Sequence, residues 1–202
     1  MGLLEGVQDG GSSNLRMRGV RLISTSSALL LLIGSWFWMQ IVHEFGHVAI
    51  ALATGGGIDR VVLPFLSFSR TDVYPNPHPL PVVWGGPIVG AMLPILAWLL
   101  ATRMKWRASP WLGFFAGFCL LANGGYIGLG GFDRIGDAGD LLDHGSPKEL
   151  LWGFGLTCCV FGIWLWHLLG MHSSRVATQP AEGRLKFGFG FAGLAMLLFA
   201  IL

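Results

Sequence analysis

Charge is scarce in this chain. Only 12% of its 202 residues are Asp, Glu, Lys or Arg, against about 25% in an ordinary soluble domain. Thirteen basic and eleven acidic residues leave a formal charge of +2, too balanced for a nucleic-acid surface, so no nucleic-acid partner is expected. Cysteine is scarce as well. Cys119, Cys158 and Cys159 all lie in apolar runs and form no CxxC clip, which excludes a disulfide framework and leaves buried packing as their role. Polar stretches are short throughout. Those between the apolar runs fall well below the ~50 residues that a separate water-soluble domain needs.

Apolar residues are what the chain has in quantity: 53% of it is hydrophobic, with a mean hydropathy of +0.62. That excludes disorder, and the length of the apolar runs excludes a soluble globule. A spanning helix takes about 20 residues. Runs at roughly 24–54, 82–101, 111–130, 148–170 and 187–202, the last the shortest, therefore predict an all-α integral membrane protein. The expected architecture is a bundle of four to five transmembrane helices in a single polytopic domain, 23–202. Residues 1–22, Gly- and Ser-rich with Arg16 and Arg18, read as a flexible tail. After the first run, Gly55-Gly56-Gly57 ends the helix, and Val61 to Ser69 alternates in a strand-like or re-entrant manner before a Pro-rich turn at 75–81. Ser146-Pro147-Lys148-Glu149 reads as a helix start. The glycines at 124–131 and 153–155 let helices approach closely. Trp84, Trp106, Trp111 and Trp152 read as interface anchors, and His167 as a packed histidine.

One pattern stands far above background: His43-Glu44-Phe45-Gly46-His47, an HExxH inside the first apolar run. On a helix the two imidazoles lie at i and i+4 on one face and can reach one ion, while Glu44, about 100° around, can address a water beside it without becoming a ligand. An ionisable residue in a spanning helix costs about 2.5–3.5 kcal/mol on insertion scales, and here three fall within five positions. A metal or a water-filled cavity offsets such a cost. Paired imidazoles with an oxygen ligand suit zinc, which in a catalytic site takes three protein ligands and one water; Glu44 then serves as general base.

The third ligand must come from elsewhere, among Asp59, Asp72, His78, Asp133, Asp137, Asp140, Asp143 and His144. Counting crossings narrows the choice. The HExxH lies late in the first helix, and two further crossings return the chain to that face at 131–147. There Gly136-Asp137-Ala138-Gly139-Asp140 reads as a glycine-flexed turn opening a short helix, with Asp137 the favoured ligand and Asp140 the alternative.

At this point the chain resembles the site-2 protease family of intramembrane zinc metalloproteases. The resemblance rests on the HExxH within a span, on Asp137-Ala138-Gly139 in place of the family's Asp-Gly, on Asn123 as counterpart of the Asn that precedes it, and on Gly85-Gly86-Pro87. It covers about 28–145, the expected catalytic core. Ala138 intervenes between Asp137 and its glycine, and Gly90 stands where the family often has asparagine. The resemblance implies cleavage of a peptide bond in or near a transmembrane helix of a protein substrate. Physics adds that the substrate helix must unwind first. Phe65 to Ser69 can supply an edge to hold it extended, and Asn123 can donate to the developing oxyanion.

Orientation is left open by two opposing rules. The face holding the N-terminal tail, 102–110 and 171–186 carries nine of the thirteen Lys and Arg, and the positive-inside rule puts it in the cytoplasm. The resemblance implies the reverse. An integral, multi-pass location (cell or inner membrane in a bacterium) holds either way. Two rival functions share the fold: a catalytically inactive binding or chaperone protein, and a metal or proton transporter using the same polar cluster as a relay.

Overall fold

The computed structural model describes residues 9–64, 67–171 and 189–194. Helix α1 spans Asp9–Ala53 and is followed by strands β1 (Ile58–Val62) and β2 (Arg70–Val73). Helices α2 (Pro79–Arg103), α3 (Ser109–Asp133), α4 (Gly136–Asp143) and α5 (Lys148–Met171) complete the order. Four helical segments are long and apolar enough to cross a membrane: Leu29–Ala53, Pro79–Arg103, Ser109–Asp133 and Lys148–Gly170. Of the expected run at 187–202, the helical piece 189–194 is described; it lies against α1, where Trp38 Nε1 donates to the Phe191 carbonyl at 3.1 Å.

Several elements depart from expectation. Helix α1 begins at Asp9, so most of the segment read as a tail has helical backbone. Once the span is helical, each further residue adds a hydrogen bond without a new nucleation cost. The strands lie at 58–62 and 70–73, so the stretch expected to be strand-like, 61–69, shares only Val61 and Val62 with β1 and otherwise falls between them. The alternation of Phe65, Ser67 and Ser69 falls in the connection between them; Phe65 and Leu66 themselves lie outside the described residues. The strands pair antiparallel with Val61 opposite Thr71. Thus the charged residues Asp59, Arg60, Arg70 and Asp72, not the apolar alternation, mark the exposed hairpin. His167 is exposed on the outer face of α5. Trp84, expected as a lipid anchor, ties α2 to the start of α5 by donating to Ser146 Oγ at 3.0 Å.

Small residues set the helix spacing. A Cβ on Gly155 would meet Gly128 Cα at 2.7 Å and the Gly124 carbonyl at 2.8 Å, and one on Gly85 would meet the Gly46 carbonyl at 2.7 Å. Helices α3 and α5, and α1 and α2, therefore cross backbone to backbone. Gly55, at φ 83, turns the chain out of α1 in the left-handed region. The short α4 docks through Ala138 and Leu141, buried against Ile127 of α3 and Leu151 of α5. This seats its N-terminal turn beside α1, on the same end of the bundle as the hairpin.

Candidate metal centre

Three side chains from two distant stretches converge at that end. His43 Nε2 lies 2.7 Å from Asp137 Oδ2, His47 Nε2 lies 3.2 Å from the same oxygen, and the two nitrogens are 3.1 Å apart. The histidines come from one face of α1, one turn apart. Asp137 comes from the first turn of α4, where the helix dipole favours a carboxylate, and its backbone N–H donates to the Tyr126 hydroxyl at 3.0 Å. Gly136 is left-handed, at φ 51, and a side chain there would collide with that hydroxyl.

The outer nitrogens fix the protonation of both rings. Asn123 Nδ2 donates to the Cys119 carbonyl at 2.9 Å, so its Oδ1 is the end that faces His43 Nδ1, 2.6 Å away. An oxygen there only accepts, so Nδ1 of His43 carries a proton. His47 Nδ1 faces the Val82 carbonyl at 2.8 Å, and the same reasoning applies. Each neutral ring then points the lone pair of Nε2 at the other ring and at the Asp137 carboxylate. Three acceptors within 2.7–3.2 Å with no donor among them require a cation, either a metal ion or a proton held as an imidazolium–carboxylate pair.

The donor set suits zinc: two imidazoles and a carboxylate, each imidazole held from behind by a carbonyl-type oxygen, the arrangement that orients metal-binding histidines. Donors around a tetrahedral zinc at ~2.0–2.1 Å stand about 3.3 Å apart, so the observed triangle needs to open by only a few tenths of an ångström. Burial alone would push the Asp137 carboxyl up, but where the cation is a proton held by the imidazoles, the hydrogen bonds and charge it meets at His43 and His47 hold it well below the usual carboxylate range. A charged carboxylate is what a ligand role requires.

Glu44 is placed differently. It is buried, and its carboxylate lies within 4.8 Å of the histidine nitrogens. Its Oε2 accepts from Thr71 Oγ1 at 2.6 Å, while Oε1 is buried without a partner. One oxygen is anchored by β2 and the other is free.

Two of the remaining acidic candidates are held in ion pairs elsewhere. Asp72 pairs with Arg60 and Arg70, and Asp143 pairs with Arg134. Asp140 lines the same cavity as His47 and Asp137, but among the described residues no hydrogen bond or ion pair joins its carboxylate to either imidazole. Burial first, and then the charge of Asp137, raise its pKa above the ordinary value. Asn123, expected as an oxyanion donor, is 1% exposed and engages both ends of its amide within the protein. Its place is behind His43. Gly90 makes room for it, since a Cβ there would come within 2.7 Å of Asn123 Oδ1.

Sequence reasoning missed Val82, Tyr126 and Thr71. A main-chain carbonyl carries no residue signal, and the other two act only through helix and hairpin packing.

Two cavities meet at the site. One, of ≈ 360 Å³, runs from His43 between α1 and α3 and is lined mainly by apolar side chains. The other, of ≈ 470 Å³, opens from His47 and Asp137 and is more polar, lined by Arg70, Thr71 and Asp72 of β2, Asn76 beyond it, Asp140 of α4 and His144 just after α4, together with Val82 and Val83 of α2. Compared with family models, curated proteins and solved structures, the chain matches none.

Proposed function

We propose that this protein is an intramembrane zinc metalloprotease of the site-2 protease type, hydrolysing a peptide bond in or near the transmembrane helix of a protein substrate. One observation carries the reading. Three lone-pair donors, His43 Nε2, His47 Nε2 and Asp137 Oδ2, converge with their outer hydrogen bonds already made, and beside them stands a carboxylate with one anchored and one free oxygen. His43, His47 and Asp137 would hold the zinc, which when bound supplies a Lewis acid that acidifies water and polarises a carbonyl. Glu44 Oε1 accepts the proton of the attacking water and returns it to the departing amine, while Thr71 keeps the carboxylate aimed. Asn123 and the Val82 carbonyl keep both rings in the tautomer that ligation needs.

The test uses full-length protein reconstituted in vesicles with a synthetic transmembrane peptide. One zinc per chain is expected in wild type and in Glu44→Gln, with cleavage falling by about 10²–10⁴ in the variant. Metal-free protein, or undiminished cleavage by Glu44→Gln, overturns the reading. Zinc or proton flux across sealed vesicles without cleavage would establish the transporter instead.

A further inference from the structure

The apolar cavity beside His43 contains a polar side chain that nothing among the described residues satisfies. Gln40 is 2% exposed, it lines this cavity, and among the described residues neither its Oε1 nor its Nε2 has a hydrogen-bond partner. A buried amide left unpaired is costly, and leucine or methionine in its place would pack at no such cost. Around it the cavity wall is mainly apolar, with Trp36, Met39, Leu129 and Ile135. Its other polar side chains are Ser69, Asn123, Tyr126 and Asp133, none of them hydrogen-bonded to Gln40, and the Asn123 amide is already engaged.

Gln40 belongs to the same α1 stripe as the site. Positions 36, 40, 43 and 47 recur at the helical period, so Trp36, Gln40 and His43 face the apolar cavity in order, and His47, one turn on, faces the polar one. The step from Gln40 to His43 is about 4.5 Å along the helix, slightly more than the ~3.3 Å of one extended residue. A substrate stretched past His43 therefore brings the peptide group next to the scissile bond level with Gln40. A primary amide offers one acceptor and two donors, the complement of a peptide N–H and C=O.

We propose that Gln40 is a substrate-positioning residue that hydrogen-bonds the peptide group adjacent to the scissile bond, and that the cavity beyond it receives that residue's large apolar side chain. This rests on the metalloprotease reading and names its substrate class: an extended segment with a leucine-, methionine- or phenylalanine-sized side chain beside the cleavage point. Gln40 replaces the hydrogen bonds that the segment loses when its helix unwinds in lipid, where no water can do so.

Two leucine-derived hydroxamates serve as probes, identical except that one carries an amide and the other an ester at the linkage next to the zinc-binding group. Their Kd values are measured on zinc-loaded, full-length protein in detergent, alongside zinc content and Tm. Wild type is expected to prefer the amide by about tenfold, the scale of one hydrogen bond left unmade. Gln40→Leu is expected to bind both equally, with zinc content unchanged and Tm equal or higher. Gln40→Met repeats the measurement should the leucine variant fail to fold. Equal binding of the two probes by zinc-loaded wild type, or a preference that survives both substitutions, overturns the assignment of Gln40 alone. Absence of zinc together with failure to bind either hydroxamate overturns the metalloprotease reading, and this assignment with it.

Discussion

Replacing Gly86 by alanine puts a single methyl group where α2 meets the two imidazoles. The new Cβ would stand 2.7 Å from His43 Nε2, 2.5 Å from His47 Cε1 and closer still to His47 Nε2. Carbon contacts settle at about 3.5–4.0 Å, so the His47 ring must withdraw by roughly 1 Å or more and that of His43 by somewhat less. A metal site tolerates about ±0.2 Å in its ligand distances. Both nitrogens therefore leave range, and zinc affinity is expected to fall at least ~100-fold, the upper end of what loss of an outer-shell partner costs. The fold pays less: overpacking costs about 1–3 kcal/mol, offset by up to ~1 kcal/mol of helix propensity. The variant is thus expected to be folded and metal-poor.

Zinc per chain, competition against a chromogenic chelator, and Tm after metal removal separate the two effects. Gly113→Ala is the matched control. Its Cβ would meet Trp98 Nε1 at 2.8 Å and Leu169 Cδ1 at 2.9 Å, a comparable overpacking away from the site, and it should lower Tm while leaving zinc affinity alone. A folded Gly86→Ala protein that binds one zinc with wild-type affinity would refute the claim that both Nε2 atoms converge beneath α2.

Three further outcomes follow from the same geometry. Asn123→Ala frees the His43 ring and should weaken zinc binding by about 10–100-fold in the chelator competition, with the protein still folded. Thr71→Val removes the hydrogen bond to Glu44 Oε2; a bond to a charged group is worth about 1.5–3 kcal/mol, so kcat should fall by about 10–100-fold while zinc content stays the same. In metal-free protein the Asp137 carboxyl lies below its ordinary range; a group depressed by folding contributes stability that is present above its unfolded value near 3.9 and lost as pH falls through the folded one. Tm of the chelated wild type should therefore drop more steeply below about pH 4 than that of Asp137→Asn, which lacks this contribution at every pH.

Much of this site was legible because helical geometry is local. The spacing of His43 and His47 puts two imidazoles on one face of any helix, and counting crossings returns 131–147 to that face, where Asp137 meets them. What was not legible depends on how separate helices pack. Gln40 looks like an incidental polar residue in an apolar run until its burial and unpaired amide are seen. Gly90 looks like a lost functional position until Asn123, from a different helix, is found against it. The hairpin was misjudged for a different reason. Period-two alternation persists through its connection, whereas the strands themselves are announced only by Arg60 and Asp72, which pair across the sheet.

A peptide hydrolase embedded in lipid must bring water and an apolar substrate to one point without letting either occupy the other's path. Under the proposed reading, the two cavities do this by meeting at the histidine pair from different sides. The polar one reaches His47 and Asp137 from the hairpin and α4, where Thr71 also anchors the base; the apolar one reaches His43 from between α1 and α3. The mainly apolar cavity and the more polar one thus meet at two nitrogens 3.1 Å apart. This explains why three costly ionisable groups are tolerated within five residues of a spanning helix. They lie at the seam, near the end of α1, and each is supported from the side it faces: His43 by Asn123 within the bundle, His47 by the Val82 carbonyl, and Glu44 by a strand that borders the polar cavity. On the proposed reading, Glu44 meets water on the hairpin side, while an unwound segment enters on the side of Gln40. Widening the apolar cavity, for instance through Leu129 or Met39 at its wall, should change which side chains are accepted and leave the water path intact.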